Sequence, residues 1–110
     1  MGSDKLPTWK TIITEDVKQD LDNFVYYLLV VKMNDQAASA LLDDYDATIN
    51  ELSKVAGSLK YLDDPELAAD GYRKIRLRKH SYYLLYRVEN DTAVVDRMLH
   101  DLQDLDKAMK

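Results

Sequence analysis

GYRKIRLRKHSYYLLYRV, Gly71–Val88, decides the reading of this chain. It reads as two β-strands joined by a tight turn at about Lys79–Ser81. Six of the fifteen Lys/Arg residues lie within it (Arg73, Lys74, Arg76, Arg78, Lys79 and Arg87) and none of the Asp or Glu. The other 92 residues hold nine basic and twenty acidic groups, a net −11 against +6 here. A clustered field of one sign attracts a partner of the other, even on a protein that is acidic as a whole. Side chains alternate along a strand, so parity assigns them to faces. Tyr72, Lys74, Arg76, Arg78 and His80 share one side. Arg73, Ile75, Leu77 and Lys79 share the other, and only that set has an apolar centre. Ile75 and Leu77 are therefore expected to face a core, and Lys74, Arg76 and Arg78 to form a cationic ribbon on the open face.

Working outward, Glu89-Asn90-Asp91-Thr92 is a turn signal, since Asn and Asp tolerate positive φ. Thr92–Leu99 is then a last strand. With Asn90-Asp91 as a two-residue turn, paired residues sum to 181. Leu84, Tyr86, Val88, Ala93, Val95 and Leu99 fall on the core side, with Arg97 intruding at the edge. Tyr83, Leu85, Arg87, Val94, Asp96, Met98 and His100 fall on the open side. Parity thus predicts a concave basic surface of Lys74, Arg76, Arg78, Tyr83, Arg87, Asp96 and His100. Tyr82 and Tyr86 go to the core, which leaves Tyr83 as the tyrosine able to stack on a base.

Upstream, Trp9–Ile13 reads as a first strand and Thr14 as a helix N-cap, followed by Glu15 and Asp16 where the helix dipole favours acids. Val17, Leu21, Phe24, Leu28 and Val31 recur at helical spacing. Asn34 ends that helix and caps a second one, which carries Ala38, Leu41, Leu42, Tyr45, Ile49, Leu52 and Val55 and is expected to stop at Gly57. The short link makes the two a helical hairpin, its apolar stripes facing a sheet. Ser58–Asp70 is a loop with one helical turn at Pro65–Ala69. Asp101 is expected to cap a final helix, Leu102–Met109. The order is β-α-α-β-β-β-α, an α+β arrangement of a helical hairpin on a small, mainly antiparallel sheet.

A chain of 110 residues holds one core and is taken as a single domain, 1–110, with residues 1–8 expected to be disordered or foreign to the natural chain. The absence of cysteine excludes disulfides and fits a reducing, cytoplasmic compartment. The longest apolar run, Phe24–Val31, is far below the roughly 20 residues of a membrane span. The start, MGSDK, has no hydrophobic signal core, so neither export nor a membrane partner is expected. No metal-ligand spacing, phosphate loop or Ser/His/Asp signature occurs, and no cofactor or metal is expected. A pI near 4.9 argues against indiscriminate coating of nucleic acid. The ribbon suits phosphate, because Arg offers a planar fork and Lys a point charge. It equally suits an acidic protein segment. His100 has the side chain for acid–base work near neutral pH. Asp96 beside Arg87 or Arg76 reads as an ion pair.

Tyr72–Val88 followed by ENDTAVVDRMLHDLQD (Glu89–Asp104) resembles the RelE/ParE superfamily of bacterial type II toxins. The resemblance rests on the Arg76–Arg78 strand, the Y-x-x-x-Y-R-V strand Tyr82–Val88, the polar turn, and the strand ending Leu99-His100. It implies a growth-inhibiting toxin neutralised by a cognate antitoxin. RelE-like members cleave messenger RNA on the ribosome with basic side chains. Lys74 and Arg76 match their paired basic positions, with His100 as the implied proton donor or acceptor. Tyr83 stands where they carry an arginine, and neither their later arginine, near Asp101–Leu102, nor their late tyrosine is present. ParE-like members bind DNA gyrase, and Tyr86-Arg87-Val88 with Leu99-His100 is similar to that branch. The ParE-like reading is favoured over the metal-independent endoribonuclease. A third reading is a non-toxic interaction module on the same fold.

Overall fold

The computed structural model describes residues 8–110; apart from Thr8, the expectation for residues 1–8 lies outside the described residues. Strand β1 (Lys10–Ile13) leads into helix α1 (Glu15–Tyr26), a π-helical turn (Tyr27–Val31) and helix α2 (Asp35–Val55). A short helix α3 (Pro65–Ala69) precedes strands β2 (Arg73–Arg76), β3 (Tyr82–Glu89) and β4 (Thr92–His100), and helix α4 (Leu105–Met109) ends the chain. The sheet order is β1-β4-β3-β2. β1 runs parallel to β4, and the other pairings are antiparallel. Among the described residues no helix is long and apolar enough to cross a membrane.

Local chemistry sets most boundaries. The Thr14 hydroxyl accepts from the Val17 amide and the Asn34 side chain from the Ala37 amide, so two of the three expected N-caps are made. Pro65 stands in the first turn of α3, with Asp64 accepting from the Glu66 and Leu67 amides. Asn90 takes φ +57° in the β3–β4 turn, where a short polar side chain tolerates it. Gly57 has a different reason from the expected helix stop. A Cβ there would lie 2.5 Å from the Trp9 ring, so glycine lets the indole lie on the end of α2. The last helix starts at Leu105 rather than Leu102. Asp104, not Asp101, caps it, because Asp101 is held by Arg76.

Helices α1 and α2 cover one sheet face. Val17, Leu41, Leu52, Ile75, Leu77, Leu84, Tyr86, Val95 and Met98 form that core. The buried Tyr86 hydroxyl donates to the Ala56 carbonyl at 2.7 Å, and Arg73 donates to the Ala56 and Leu59 carbonyls. The orphan carbonyls at the end of α2 are satisfied in this way from the sheet. Ile75 and Leu77 face the helices, as parity predicts.

Candidate functional site

The register between β3 and β4 departs from a constant sum. Tyr86 pairs Val95, Arg87 pairs Val94 and Val88 pairs Ala93, all summing to 181. Beyond a bulge at Asp96 the pairs are Leu85–Arg97, Leu84–Met98, Tyr83–Leu99 and Tyr82–His100, summing to 182. One inserted residue exchanges faces for all that follow it. Met98 therefore moves into the helix-side core and Leu99 leaves it. His100 moves too: it lies with Tyr82 on the helix side, ring edge to ring face at 5.0 Å, and Tyr82 in turn meets Phe24 at 4.6 Å. His100 Nδ1 accepts from the Leu102 amide at 3.1 Å, and its own amide donates to Gln103, so it shapes the turn after β4.

Nor is the opposite face open. Tyr83, Leu85 and Leu99 are covered by Leu62 and Leu67 from the 58–70 segment, and by Leu105, Ala108 and Met109 of α4. Each cover is too short to carry its own core, and together they make a second, smaller one. Lys110 bridges them by binding Asp64, Glu66 and Asp106. The hydrogen bond from Lys110 holds the Asp64 carboxyl below its ordinary pKa. Parity placed Tyr83 correctly, but its ring is buried rather than free to stack, and burial raises its hydroxyl pKa.

The predicted ribbon divides among several jobs. Lys74 and Arg76 stay together on this second face. Lys74 Nζ lies 5.2 Å from the centre of the Tyr83 ring, and Arg76 makes a two-pronged pair with Asp101, Nη1 to Oδ1 at 3.0 Å. That pairing lowers the Asp101 pKa. Arg87 pairs with Asp96 at 2.9 Å and with Glu89, and the Tyr72 hydroxyl donates to the same Asp96 carboxylate. Asp96 is thus the expected ion-pair acceptor, for Arg87 and not for Arg76. Arg78 departs from the ribbon, its guanidinium reaching back to Glu51 on α2. His80 departs with it, its Nδ1 lying 2.7 Å from Asp44. The strand ends at Arg76, and past that point alternation no longer governs direction.

Sequence reasoning missed Asp44, whose side chain is 2% exposed. It accepts from the Arg78 amide at 3.1 Å, the Lys79 amide at 2.8 Å and the His80 ring. Burial pushes this carboxyl up, but the bonds from His80 and the two amides outweigh it and hold the pKa below the ordinary value. The β2–β3 connection is therefore a loop clamped to α2 rather than a free tight turn. Asp44 stands in α2 between Leu41 and Thr48, both buried, and that inward position was its only sequence signal. Asp20 does similar work at the other edge. Beyond β1 it accepts from Arg97 Nε and Nη2 and from the Met98 amide, while Arg97 also donates to the Ala108 carbonyl.

Two clefts flank β2, whose outer edge, among the described residues, is paired only where Tyr61 bridges Arg73. One, of about 420 Å³, has mostly apolar walls from Leu59, Leu62, Ile75 and Leu105, and its lining also includes Lys60, Lys74 and Arg76 together with Asp63 and Asp64. The other, of about 300 Å³, lies on the helix side between Thr48, Glu51, Val55 and Arg78. Among the described residues no group of three or more His, Cys, Asp or Glu is placed to hold a metal ion.

A helical hairpin on a four-stranded sheet with cations along one edge strand is a layout that can be compared with known proteins. Residues 11–105 match the family described as the ParE toxin of type II toxin–antitoxin systems. The chain belongs to this ParE toxin family. Among solved structures it is similar to a chain of the chromosomal ParDE toxin–antitoxin system from P. aeruginosa, at TM-score 0.67 and 19% identity, covering 84% of this chain and 96% of that one. It is also similar to a chain of the toxin–antitoxin complex RelBE2 from Mycobacterium tuberculosis, at TM-score 0.54 and 21% identity, covering 84% and 98%. At such identities the likeness is one of fold. No curated protein sequence matches the chain. The chain is thus a type II toxin of the RelE/ParE superfamily, in keeping with the resemblance seen in Tyr72–Asp104.

Proposed function

We propose that this ParE-family chain is a growth inhibitor that acts by binding a protein target, DNA gyrase being the first to test, and that a cognate antitoxin neutralises it. One observation carries the choice over RNA cleavage. Lys74 and Arg76 lie on one side of the sheet and His100 on the other. Phosphate stabilisation and proton transfer must converge on one reacting centre within hydrogen-bond reach. These three do not converge. Arg76 is further engaged by Asp101, and the buried Tyr83 offers no stacking surface.

The antitoxin reading draws on the two similar structures, both of which come from toxin–antitoxin systems. On this chain the surface suited to such a partner is the outer edge of β2. It offers unpaired strand backbone, the 420 Å³ cleft beside it, and the cations Lys74 and Arg76. An extended acidic segment with an apolar side chain for the cleft fits that combination. Arg87, Asp96 and His100, bound up in internal contacts, serve the frame rather than this edge, and Arg78 turns away from it toward Glu51.

The test is induced expression with and without the neighbouring gene product, scored for growth, messenger cleavage and plasmid supercoiling. Arrest with altered supercoiling and intact messenger, unchanged in the His100→Ala variant, is the expected result. Messenger cuts abolished by Lys74→Ala with Arg76→Ala would instead establish the endoribonuclease. Absence of arrest would leave an interaction module.

A further inference from the structure

The far end of the helical hairpin is apolar on all sides. Tyr26, Tyr27, Leu29, Val30, Val31 and Met33 are all exposed, with Tyr26 at 61%, Val31 at 59% and Met33 at 83%. Within Tyr26–Met33 only Leu28 reaches the core, and the one charge is Lys32. A helical segment that is apolar all round is built for burial. The local backbone sharpens the point. The Lys32 amide bonds the Tyr27 carbonyl and the Asn34 amide the Leu28 carbonyl, closing the π-helical turn with Met33 at φ +51°. Glycine or asparagine suits that left-handed position best. A methionine there, its side chain in water, serves neither the turn nor solubility.

We propose that this tip, Tyr26–Met33, is a self-association surface through which two copies of the chain pack about a two-fold axis. The area is sufficient. At these exposures the six side chains leave roughly 600 Å² in water, taking ~200 Å² for a tyrosine and less for the aliphatics, the upper limit for an ordinary monomer's largest apolar patch. Leu42 on α2, also exposed, and the polar rim bring it to about the 800 Å² that each partner of a standard interface contributes. A two-fold interface must be self-complementary. Here the acids flank the apolar segment, Asp35 in the first turn of α2 and Asp22 one turn before Tyr26, while Lys32 lies within it, its Nζ 5.6 Å from the centre of the Tyr27 ring. Lys32 of each copy can meet Asp35 or Asp22 of the other. A membrane surface is a poorer occupant, since those acids repel anionic lipid. The proposal does not depend on the toxin's target.

Sedimentation velocity of the full chain over a concentration series tests it. The expected result is a monomer–dimer equilibrium that shifts toward the dimer as the protein concentration rises. Tyr26→Asp with Val30→Asp should weaken the dimer at least about a hundredfold, since like charges would be brought face to face. The far-ultraviolet circular dichroism should stay unchanged, both residues being exposed in the monomer. Leu102→Asp, on an exposed residue of the turn after β4, should leave the dimer intact. A wild-type chain that stays monomeric throughout overturns the proposal. So does a dimer that survives the double substitution.

Discussion

Replacing Asp44 by alanine removes the clamp between α2 and the β2–β3 loop. Three hydrogen bonds are lost, to the amides of Arg78 and Lys79 and to the His80 ring, all on a carboxylate with almost no access to water. A donor left unsatisfied in a buried site costs ~1–3 kcal/mol. The loop is only part-buried and can turn some of these groups to solvent, which favours the low end for each. The expected loss is about 3 kcal/mol, a large share of the ~5–15 kcal/mol that holds a domain of this size together. Urea denaturation reads it directly. With a slope of ~1.5 kcal/mol/M the midpoint should fall by about 2 M, with the slope unchanged. Hydrogen exchange should show the Arg78 and Lys79 amides of the β2–β3 loop losing protection before those of β3 do. His80→Ala removes one partner only and should cost about 1 kcal/mol.

The same clamp has a pH signature. The folded-state pKa of Asp44 lies below its ordinary 3.8, so the stability it supplies is fully present above that value. It is lost only as the pH falls through the lower, folded value. The difference between wild type and Asp44→Ala should accordingly stay constant from neutral pH down to about pH 5, and shrink below about pH 4. A loss smaller than about 0.5 kcal/mol at neutral pH would refute the reasoning, since exposed pairs contribute no more than that.

Other perturbations are sharp enough to measure. Gly57→Ala places a Cβ against the Trp9 ring and should cost ~1–3 kcal/mol by thermal or urea denaturation, with a change in tryptophan fluorescence. Tyr86→Phe removes the 2.7 Å bond to the Ala56 carbonyl and should cost about 1 kcal/mol, moderated because Arg73 still donates to that oxygen. Burial also raises the Tyr86 hydroxyl to about 12, so it should remain protonated in an ultraviolet titration after exposed tyrosines have ionised. Asp101→Ala frees Arg76, and in a binding assay should tighten an acidic partner segment at the β2 edge by up to about fivefold.

What sequence reasoning could reach was governed by the range of each signal. The caps Thr14 and Asn34 act within three residues, and the helix stripes repeat over several turns, so both were legible. The one-sided placement of Ile75 and Leu77 was legible for the same reason. The faces beyond Asp96 were not, because a bulge leaves no mark except a register that fails, and a failed register shows only when both strands are in place. The basic ribbon was misjudged through its partners. Glu51, Asp44 and Asp101 lie 27, 36 and 25 residues from the cations they hold, Arg78, His80 and Arg76, distances at which no pattern in the chain connects them. Composition registered six bases without an acid among them. The fold supplies the acids from elsewhere.

That pairing bears on how a ParE-family toxin with so acidic a chain can present a cationic site at all. Arg87 is held by Asp96 and Glu89 and contributes to the frame, whereas Arg78 turns away from this face toward Glu51 on α2. Among the described residues Lys74 forms no salt bridge, and Arg76 gives up a partner, Asp101, that sits on an exposed turn rather than in the core. An exposed pair of this kind is worth little in water, because solvent screens it and two side chains must be ordered to make it. An incoming carboxylate on β2 can therefore displace Asp101 at small cost, whereas displacing Asp96 would strip Tyr72 and Arg87 of a partly buried acceptor at once. The edge of β2 is the part of the ribbon where the charge remains available, and the apolar cleft beside it adds the contact area that an ion pair alone does not provide.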